Sequence, residues 1–409
     1  MGIEQQPRSR FAANIPKYFV YIALKGFGFG LFVSVWVIYL QQRRGLTLAQ
    51  AALIDTTFFV AAAFGEIPTG VVADVFGRKI SMIIGAALLT AGGFAWATVP
   101  TMPLIMVAYV AMGIGLTFQS GAEDALFYES LQKLGRADDY TRLAGRAGAT
   151  FPGALALGSV VGGLLASVDL ILPYLASTLV LLTMTAVVLT LREPKSDVKT
   201  EAKARKTFGD IFRQSFDLMR ERPALRYPVL YLALVPLASW LIESLFLQPQ
   251  ALALGIPLAG VGVLFMLAQV ANVGGSAWSD QMKARFGETR LLYSAPVIIL
   301  GCLILLAALQ ILPALLLIAV MGFVTSALRP ILLTRIQNAV SDDVRATVIS
   351  MQSLLFTLLG AVSQPTLGFI ADRAGLPSAY ITLAGGLGVL VFLLLWTSRR
   401  YFPVLSISG

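Results

Sequence analysis

Apolar residues occupy long runs along nearly the whole chain, and short polar segments separate these runs. Each run is long enough to supply the ~20 apolar residues with which a helix crosses the hydrocarbon core of a bilayer. The pattern predicts an all-α membrane protein with twelve spans, numbered span 1 to span 12 in chain order, at residues 17–41, 47–74, 80–99, 103–130, 145–167, 171–191, 226–250, 257–280, 290–311, 313–336, 346–371 and 377–398.

One polar segment, from Arg192 to Arg226, is much longer than the others and divides the spans into two sets of six. We therefore predict an N-terminal bundle at 1–191, a linker at 192–225 and a C-terminal bundle at 226–409. The linker includes an amphipathic run formed by Phe208, Ile211, Phe212, Phe216 and Met219. This run suits an interfacial helix near anionic lipid, and a regulatory docking site is the alternative.

Composition supports the membrane assignment and excludes several classes of function. Hydrophobic residues make up 57% of the chain and charged residues 13%, whereas a soluble domain carries roughly 25% charged residues. The net charge of +9 comes from basic residues in the breaks between spans, so it does not indicate nucleic-acid binding. With no histidine and a single cysteine, Cys302, the chain offers neither a metal site nor a disulfide, and we expect no cofactor.

The distribution of lysine and arginine predicts the orientation of the chain in the membrane. Outside the spans, nearly all of them lie in the two termini or after even-numbered spans, and only Arg43, Arg44 and Arg373 lie on the opposite side. Because cytoplasmic loops are enriched in basic residues, this bias predicts a multi-pass protein of the cell membrane with both termini in the cytoplasm.

Landmarks recur at a nearly constant offset, which predicts that the six-span unit is duplicated. Asp74 and Asp280 are 206 residues apart and each closes the second span of its half. The same offset relates Gly162 to Gly368, and an offset of 204 relates the pair Asp138-Asp139 to Asp342-Asp343.

The loop after span 2 reads GVVADVFGRK and contains Gly70, Asp74, Gly77, Arg78 and Lys79. It resembles the loop signature of the major facilitator superfamily, in which Gly, then Asp four residues later, then Gly-Arg-Lys connect the second and third helices. An arbitrary basic loop would not require this spacing. Gly77 allows a tight turn, and we expect Asp74 to accept hydrogen bonds from helix-start amides while Arg78 pairs with a carboxylate. The resemblance implies the superfamily fold, two pseudo-symmetric six-helix bundles.

Span 5 contains closely spaced glycines, Gly158, Gly162 and Gly163. The segment resembles the superfamily's antiporter motif, Gly-Pro-x-x-Gly-Gly, with Ser159 in place of the proline. The resemblance implies export. Close packing of small residues between membrane helices explains the glycines nearly as well.

Two adjacent acids near the end of span 4, Glu123 and Asp124, are costly in a membrane unless they find partners. The 206-residue offset relates Glu123 to Arg329 in span 10, and in the superfamily that the chain resembles the fourth and tenth helices line the central cavity. We therefore predict a cytoplasmic gate in which Glu123 or Asp124 pairs with Arg329. The alternative is a stabilising network within their own half, with Arg78, Arg142, Arg146 or Lys25.

Three further carboxylates, Asp55, Glu66 and Glu243, lie within spans and are candidates for proton coupling. Burial raises the pKa of a carboxyl group, which makes protonation sensitive to the side that is open. Asp55 and Glu243 are the preferred carriers. The alternatives are that Asp55 reaches the lipid headgroups and that Glu66 caps helix packing near the signature loop.

A mixed set of aromatic, amide and basic side chains is predicted to face the substrate cavity. It suits a partly lipophilic substrate, although helix packing is an alternative for each member: Lys25, Trp36, Tyr39, Phe118, Gln119, Trp240, Phe323, Gln352 and Gln364.

Together these features and the resemblance imply a monomeric secondary active transporter that works by alternating access and couples export of drugs or other amphiphilic small molecules to protons. Uptake of a nutrient, or movement of lipid, by the same fold is an alternative. A membrane-embedded enzyme or receptor-like scaffold is a third interpretation. The enzyme is disfavoured because the chain has no histidine, metal-ligand cluster or phosphate-binding loop.

Overall fold

A computed structural model describes residues 11–194, 213, 220, 223–339 and 342–398, and these residues form helices joined by short turns. Nine spans are single helices, with bounds Leu48–Phe76 (span 2), Arg78–Thr98 (span 3), Tyr140–Val168 (span 5), Leu172–Thr190 (span 6), Leu258–Ala277 (span 8), Glu288–Ala308 (span 9), Leu316–Ala339 (span 10), Asp342–Ala374 (span 11) and Leu376–Ser398 (span 12). Among the described residues, eleven stretches are long and apolar enough to cross a membrane, and a bent helix pair at the start brings the number to twelve.

The other three spans, 1, 4 and 7, are broken, which the apolar runs do not indicate. Span 1 is Asn14–Val33 followed, after a 45° bend, by Trp36–Arg43. Span 7 is Pro223–Leu241, a π-helical turn and Leu247–Ala253, and the short polar helix Ser279–Phe286 lies in the loop that follows span 8.

Span 4 is the clearest correction, because residues 103–130 were predicted as one continuous helix. The structure has Met102–Gln119 and Ala122–Lys133, with extended backbone at Ser120 and a φ of +68° at Gly121 between them. Glycine tolerates this left-handed conformation, which interrupts the helix. Glu123 and Asp124 consequently lie in the first turn of a new helix, where negative charge is favourable.

The described residues fall into two compact units. Unit 1 takes in residues from 1–39, 57–205 and 257–266, and unit 2 those from 40–56, 206–256 and 267–409. Each unit therefore contains one short segment from the other half of the sequence. The domain boundary at 192–225 stays a prediction, and the amphipathic run from Phe208 to Met219 lies outside the described residues.

Helix packing repeats with a shift of six spans. Span 1 packs against spans 5 and 6, and span 3 packs against spans 4 and 6. Correspondingly, span 7 packs against spans 11 and 12, and span 9 packs against spans 10 and 12. This correspondence is what duplication of a six-span unit predicts.

Candidate functional site

The signature loop of unit 1 turns sharply at Gly77, whose φ is +103°. Arg78 donates a hydrogen bond to the Asp74 carboxylate, and its Nε lies 3.9 Å from Glu129 Oε1 at the end of span 4. The predicted pairing of Arg78 with a carboxylate is therefore present. The predicted role of Asp74 at the helix start is a correction, because another residue occupies that place.

Glu193, which directly follows span 6, caps the N-terminus of span 3. Its carboxylate accepts hydrogen bonds from the backbone N–H groups of Arg78 and Lys79, the latter at 3.0 Å. A Cβ on Gly77 would lie 2.7 Å from Glu193 Oε1, so the glycine gives the carboxylate room as well as making the turn. Arg78 and Lys79 place two positive charges in the first turn of span 3, where the helix dipole disfavours them. The negative charge of Glu193 offsets this unfavourable interaction. The sequence signal is a lone acid between Arg192 and Pro194, in the segment that is predicted only as a linker.

Replacing Glu193 with alanine should lower the free energy of unfolding by about 0.5–2 kcal/mol, because two helix-start N–H groups lose their acceptor. Denaturant-induced unfolding in detergent would measure the change. Asp138→Ala is the matched control, since this carboxylate is exposed in the 3₁₀ turn that follows span 4. Equal effects of the two substitutions would contradict the capping role.

The loop between spans 8 and 9 carries a charge-reversed version of this arrangement in unit 2. Gly287 has a φ of +78° and is followed by Glu288, which pairs with Lys283 at 3.2 Å and with Arg335 at 3.0 Å. Glu129 and Arg335 are 206 residues apart, so they occupy equivalent positions in the two halves. The ion pair of Arg78 with Glu129 thus corresponds to that of Glu288 with Arg335, with the acid and the base exchanged. A search for the same residues in both halves misses it.

The acids of span 4 take their partners from span 1. Lys25 Nζ lies 2.8 Å from Glu123 Oε2, and the Tyr21 hydroxyl also donates to Glu123. Tyr18 donates to Asp124 at 2.9 Å. Of the predicted alternatives, the structure therefore shows the network within one half, with Lys25 as the basic partner. The gate with Arg329 stays a prediction.

Glu243 lies in the π-helical turn of span 7, within unit 2. Gln269 Nε2 donates to one carboxylate oxygen at 2.5 Å, and Asn272 Nδ2 donates to the other at 3.1 Å. Both amides belong to span 8, three residues apart on one helix face. No ion pair joins Glu243 to a lysine or arginine within the described residues, so the only polar groups seen to bind it are neutral. Gln269 and Asn272 are not among the predicted site residues, although two amides at this spacing in an apolar span are a detectable signal.

Asp55 and Glu66 lie in contrasting surroundings. Asp55 is 6% exposed and accepts a hydrogen bond from Gln364 Nε2 at 2.9 Å, so the alternative in which it reaches the headgroups is wrong. The Glu66 side chain is exposed and hydrogen-bonds to Ser120. Their predicted roles in proton coupling stay predictions.

The glycines of the antiporter-like motif let span 5 approach two other helices within unit 1. Gly158 and Gly162 lie against the backbone of span 1, where a Cβ would collide with the carbonyl groups of Phe27 and Leu31. A Cβ on Gly163 would lie 3.0 Å from the backbone nitrogen of Gly262 at the start of span 8. The serine that replaces the motif's proline, Ser159, donates to the Gly262 carbonyl at 3.1 Å.

Three members of the predicted cavity set are buried by packing. Tyr39 is a correction, because it has no exposed surface, donates to the Ala97 carbonyl at 2.7 Å and stacks on Trp96. Trp36 is also buried, and Lys25 is held in its ion pair with Glu123.

The remaining six are distributed over both units. In unit 1, Phe118 is half-buried, and both amide atoms of the fully buried Gln119 have no hydrogen-bond partner in the described part of the chain. In unit 2 the rings of Trp240 and Phe356 are 5.3 Å apart, and those of Phe323 and Trp278 are 5.9 Å apart. The amides of unit 2 are engaged, Gln352 with the Leu232 carbonyl and Gln364 with Asp55.

Comparison with known proteins identifies this arrangement of helices. The sequence matches the family model of the Major Facilitator Superfamily over residues 18–362. The chain belongs to the major facilitator superfamily. It is accordingly a multi-pass secondary transporter and not an enzyme, and it carries a small-molecule substrate.

Relatives within the superfamily differ in what their names say they carry. The transporter is 25% identical to Multidrug resistance protein 1 of Bacillus subtilis over 301 residues, which cover 72% of this chain and 73% of that protein. Its fold is similar to that of the nucleoside transporter NupG, with a TM-score of 0.77, 14% identity and coverage of 94% and 99% of the two chains. A D-xylose-proton symporter gives a TM-score of 0.69 at 15% identity, with coverage of 93% and 96%.

Proposed function

We propose that this transporter exports amphiphilic small molecules, including lipophilic cations, in exchange for protons, by exposing one binding site alternately to the two sides of the membrane. Similarity to a protein named for multidrug resistance supports this choice, as does the antiporter-like motif in span 5. The observation that carries the proposal is the environment of Glu243.

Glu243 is suited to exchange a proton for a cation because its charge has no basic partner within the described residues. An ionised carboxylate in a membrane span is costly unless a positive charge or hydrogen bonds offset it. Two amide donors from Gln269 and Asn272 stabilise the ionised form in part, and they leave the net charge in place. A bound proton and a bound organic cation would each neutralise it, so the two compete for one group.

Because of this competition, Glu243 has a different occupant on each side of the membrane. On the acidic side, protonation of Glu243 releases the cation. On the other side, loss of the proton restores the negative charge and favours binding of the next cation. Trp240 precedes Glu243 by three residues on span 7, and its ring lies 5.3 Å from that of Phe356. In the proposal these two rings give an amphiphilic body apolar and cation–π contacts.

The direction of transport depends on how the protein is oriented in the membrane. The bias of lysine and arginine towards one set of loops supports cytoplasmic termini in the cell membrane. With this orientation, an inward proton gradient drives export. Uptake by the same fold remains the second candidate, and the direction of the gradient that drives accumulation distinguishes the two.

Membrane vesicles with the cytoplasmic side outward test the proposal, loaded at acidic pH and diluted into alkaline buffer with a lipophilic cation, a sugar or an amino acid. We expect accumulation of the cation, and one-for-one exchange with protons sustains about a tenfold concentration ratio per pH unit. Accumulation that does not depend on the pH gradient would rule out proton coupling. Accumulation driven by the opposite gradient would indicate proton symport and uptake.

A further inference from the structure

A glycine of span 10 makes room for one of the two amides that bind Glu243 in unit 2. A Cβ on Gly322 would collide with Asn272 Oδ1 and lie 3.2 Å from Asn272 Cγ. The Asn272 amide therefore lies directly against the backbone of span 10, while its Nδ2 donates to Glu243 on span 7. An alanine at position 322 is incompatible with the present position of this amide.

The backbones of spans 8 and 10 are also in contact one turn beyond Asn272. Gly275 follows Asn272 by three residues, so both lie on one face of span 8. A Cβ on Gly275 would collide with the Phe323 carbonyl oxygen and lie 3.0 Å from Phe323 Cα. Because the two backbones already touch on this face, packing fixes where span 10 lies relative to the Asn272 amide.

Helix formation gives no reason for a glycine at position 322. Gly322 lies inside the helix Leu316–Ala339, where glycine is less favourable than alanine, and its φ is not in the left-handed region. A glycine in ordinary helical backbone is explained when another group approaches the helix closely. At Gly322 the approaching group is the side chain of Asn272.

The two amides are the polar side chains that act on Glu243. Within the described residues, no charged or titratable side chain of a neighbouring helix forms an ion pair or hydrogen bond with it. Along spans 8 and 10 the nearest charged residues, Asp280 and Arg329, are exposed and lie about two turns beyond Asn272 and Gly322. The balance between ionised and protonated Glu243 therefore depends on where the amides are held.

We propose that Gly322 is a positioning residue for Glu243. By admitting the Asn272 amide, it lets span 10 hold a hydrogen-bond donor against the carboxylate and so sets the pH at which Glu243 takes up its proton. The donor stabilises the ionised form, so without it protonation begins at a higher pH. The inference rests on the proposed function, in which Glu243 alternates between its ionised and protonated forms.

Infrared titration of the purified protein in nanodiscs measures protonation of Glu243 without substrate or transport. The carbonyl band of a protonated carboxyl group that is missing in Glu243→Gln belongs to Glu243. Gly322→Ala should move the midpoint of this band by about one unit to higher pH, because loss of a hydrogen bond to a charged group changes an equilibrium roughly tenfold. Gly301→Ala, the matched control on span 9, should leave the midpoint unchanged, because nothing lies within 4 Å of a Cβ at Gly301.

A double variant tests whether Gly322 acts through Asn272. Asn272→Ala should shift the midpoint by a similar amount, and addition of Gly322→Ala should shift it no further. If thermal unfolding shows that Gly322→Ala alone does not fold, the double variant should still fold, because the side chain that meets the added methyl group is gone. An unchanged midpoint in Gly322→Ala, additive shifts in the double variant, or failure of both variants to fold would overturn the positioning role.

Failure of the proposed function is observed separately, in the vesicle assay. Accumulation that does not depend on the pH gradient would remove Glu243 as the coupling group, and it would leave these infrared shifts unchanged. Conversely, an unchanged midpoint in Gly322→Ala together with gradient-driven accumulation would remove only the role of Gly322.

Discussion

Glu243→Gln should abolish accumulation of a cationic substrate driven by a pH gradient, reducing it to the level of passive leakage. Glutamine has nearly the same shape but neither ionises nor takes up a proton in the physiological range. The driving proton therefore loses its binding group, and the cation loses its counter-charge. Measurement of accumulation in the vesicles described above shows the effect.

Two control measurements distinguish a specific loss of proton coupling from general damage to the protein. Asp169→Asn is the matched control, because Asp169 is also a carboxylate but accepts a hydrogen bond from Ile171 in its own loop and has no predicted role in coupling. It should retain gradient-driven accumulation. Exchange of a neutral substrate without a gradient should survive in Glu243→Gln, because that process needs no proton. Full gradient-driven accumulation in Glu243→Gln would refute the assignment of Glu243 as the coupling group.

Lys25→Met should lower the free energy of unfolding by about 3–5 kcal/mol, the range observed when one partner of a buried ion pair is removed. The side chains of Lys25 and Glu123 are only 6% and 17% exposed, so solvent screening reduces this value little. Without Lys25, the Glu123 carboxylate keeps the Tyr21 hydroxyl as a donor but has no positive charge beside it. Denaturant titration in mixed micelles measures the difference.

The double variant Lys25→Met with Glu123→Gln should recover most of the lost stability, because no buried charge then remains. Lys17→Met is the control for loss of a lysine on the same helix, since Lys17 makes an exposed hydrogen bond to the Thr190 carbonyl. If Lys25→Met is no more destabilising than Lys17→Met, the ion pair does not contribute as the geometry indicates.

The sequence was sufficient for the number and approximate positions of the spans because the bilayer imposes a minimum length on each apolar run. It was not sufficient for the interruptions inside them. The break at Gly121 and the π-helical turn that contains Glu243 lie within runs that are apolar enough to continue. A hydropathy pattern records how well residues partition into lipid, and it does not record where a backbone bends.

The sequence also identified which acids were costly in a membrane, since charge and apolar context are both visible in it. The sequence did not show which residues these acids contact. Lys25 rather than Arg78 reaches Glu123, Glu193 rather than Asp74 caps span 3, and Asp372 reaches the start of span 2 across most of the chain.

Family membership, helical architecture and the internal repeat were thus determined by the sequence itself, through the length of its apolar runs and the spacing of a few glycines and charges. The partners of the buried charges were decided only by tertiary structure. Contacts between helices depend on which faces meet and at what height, and residues hundreds of positions apart meet only after the helices have packed.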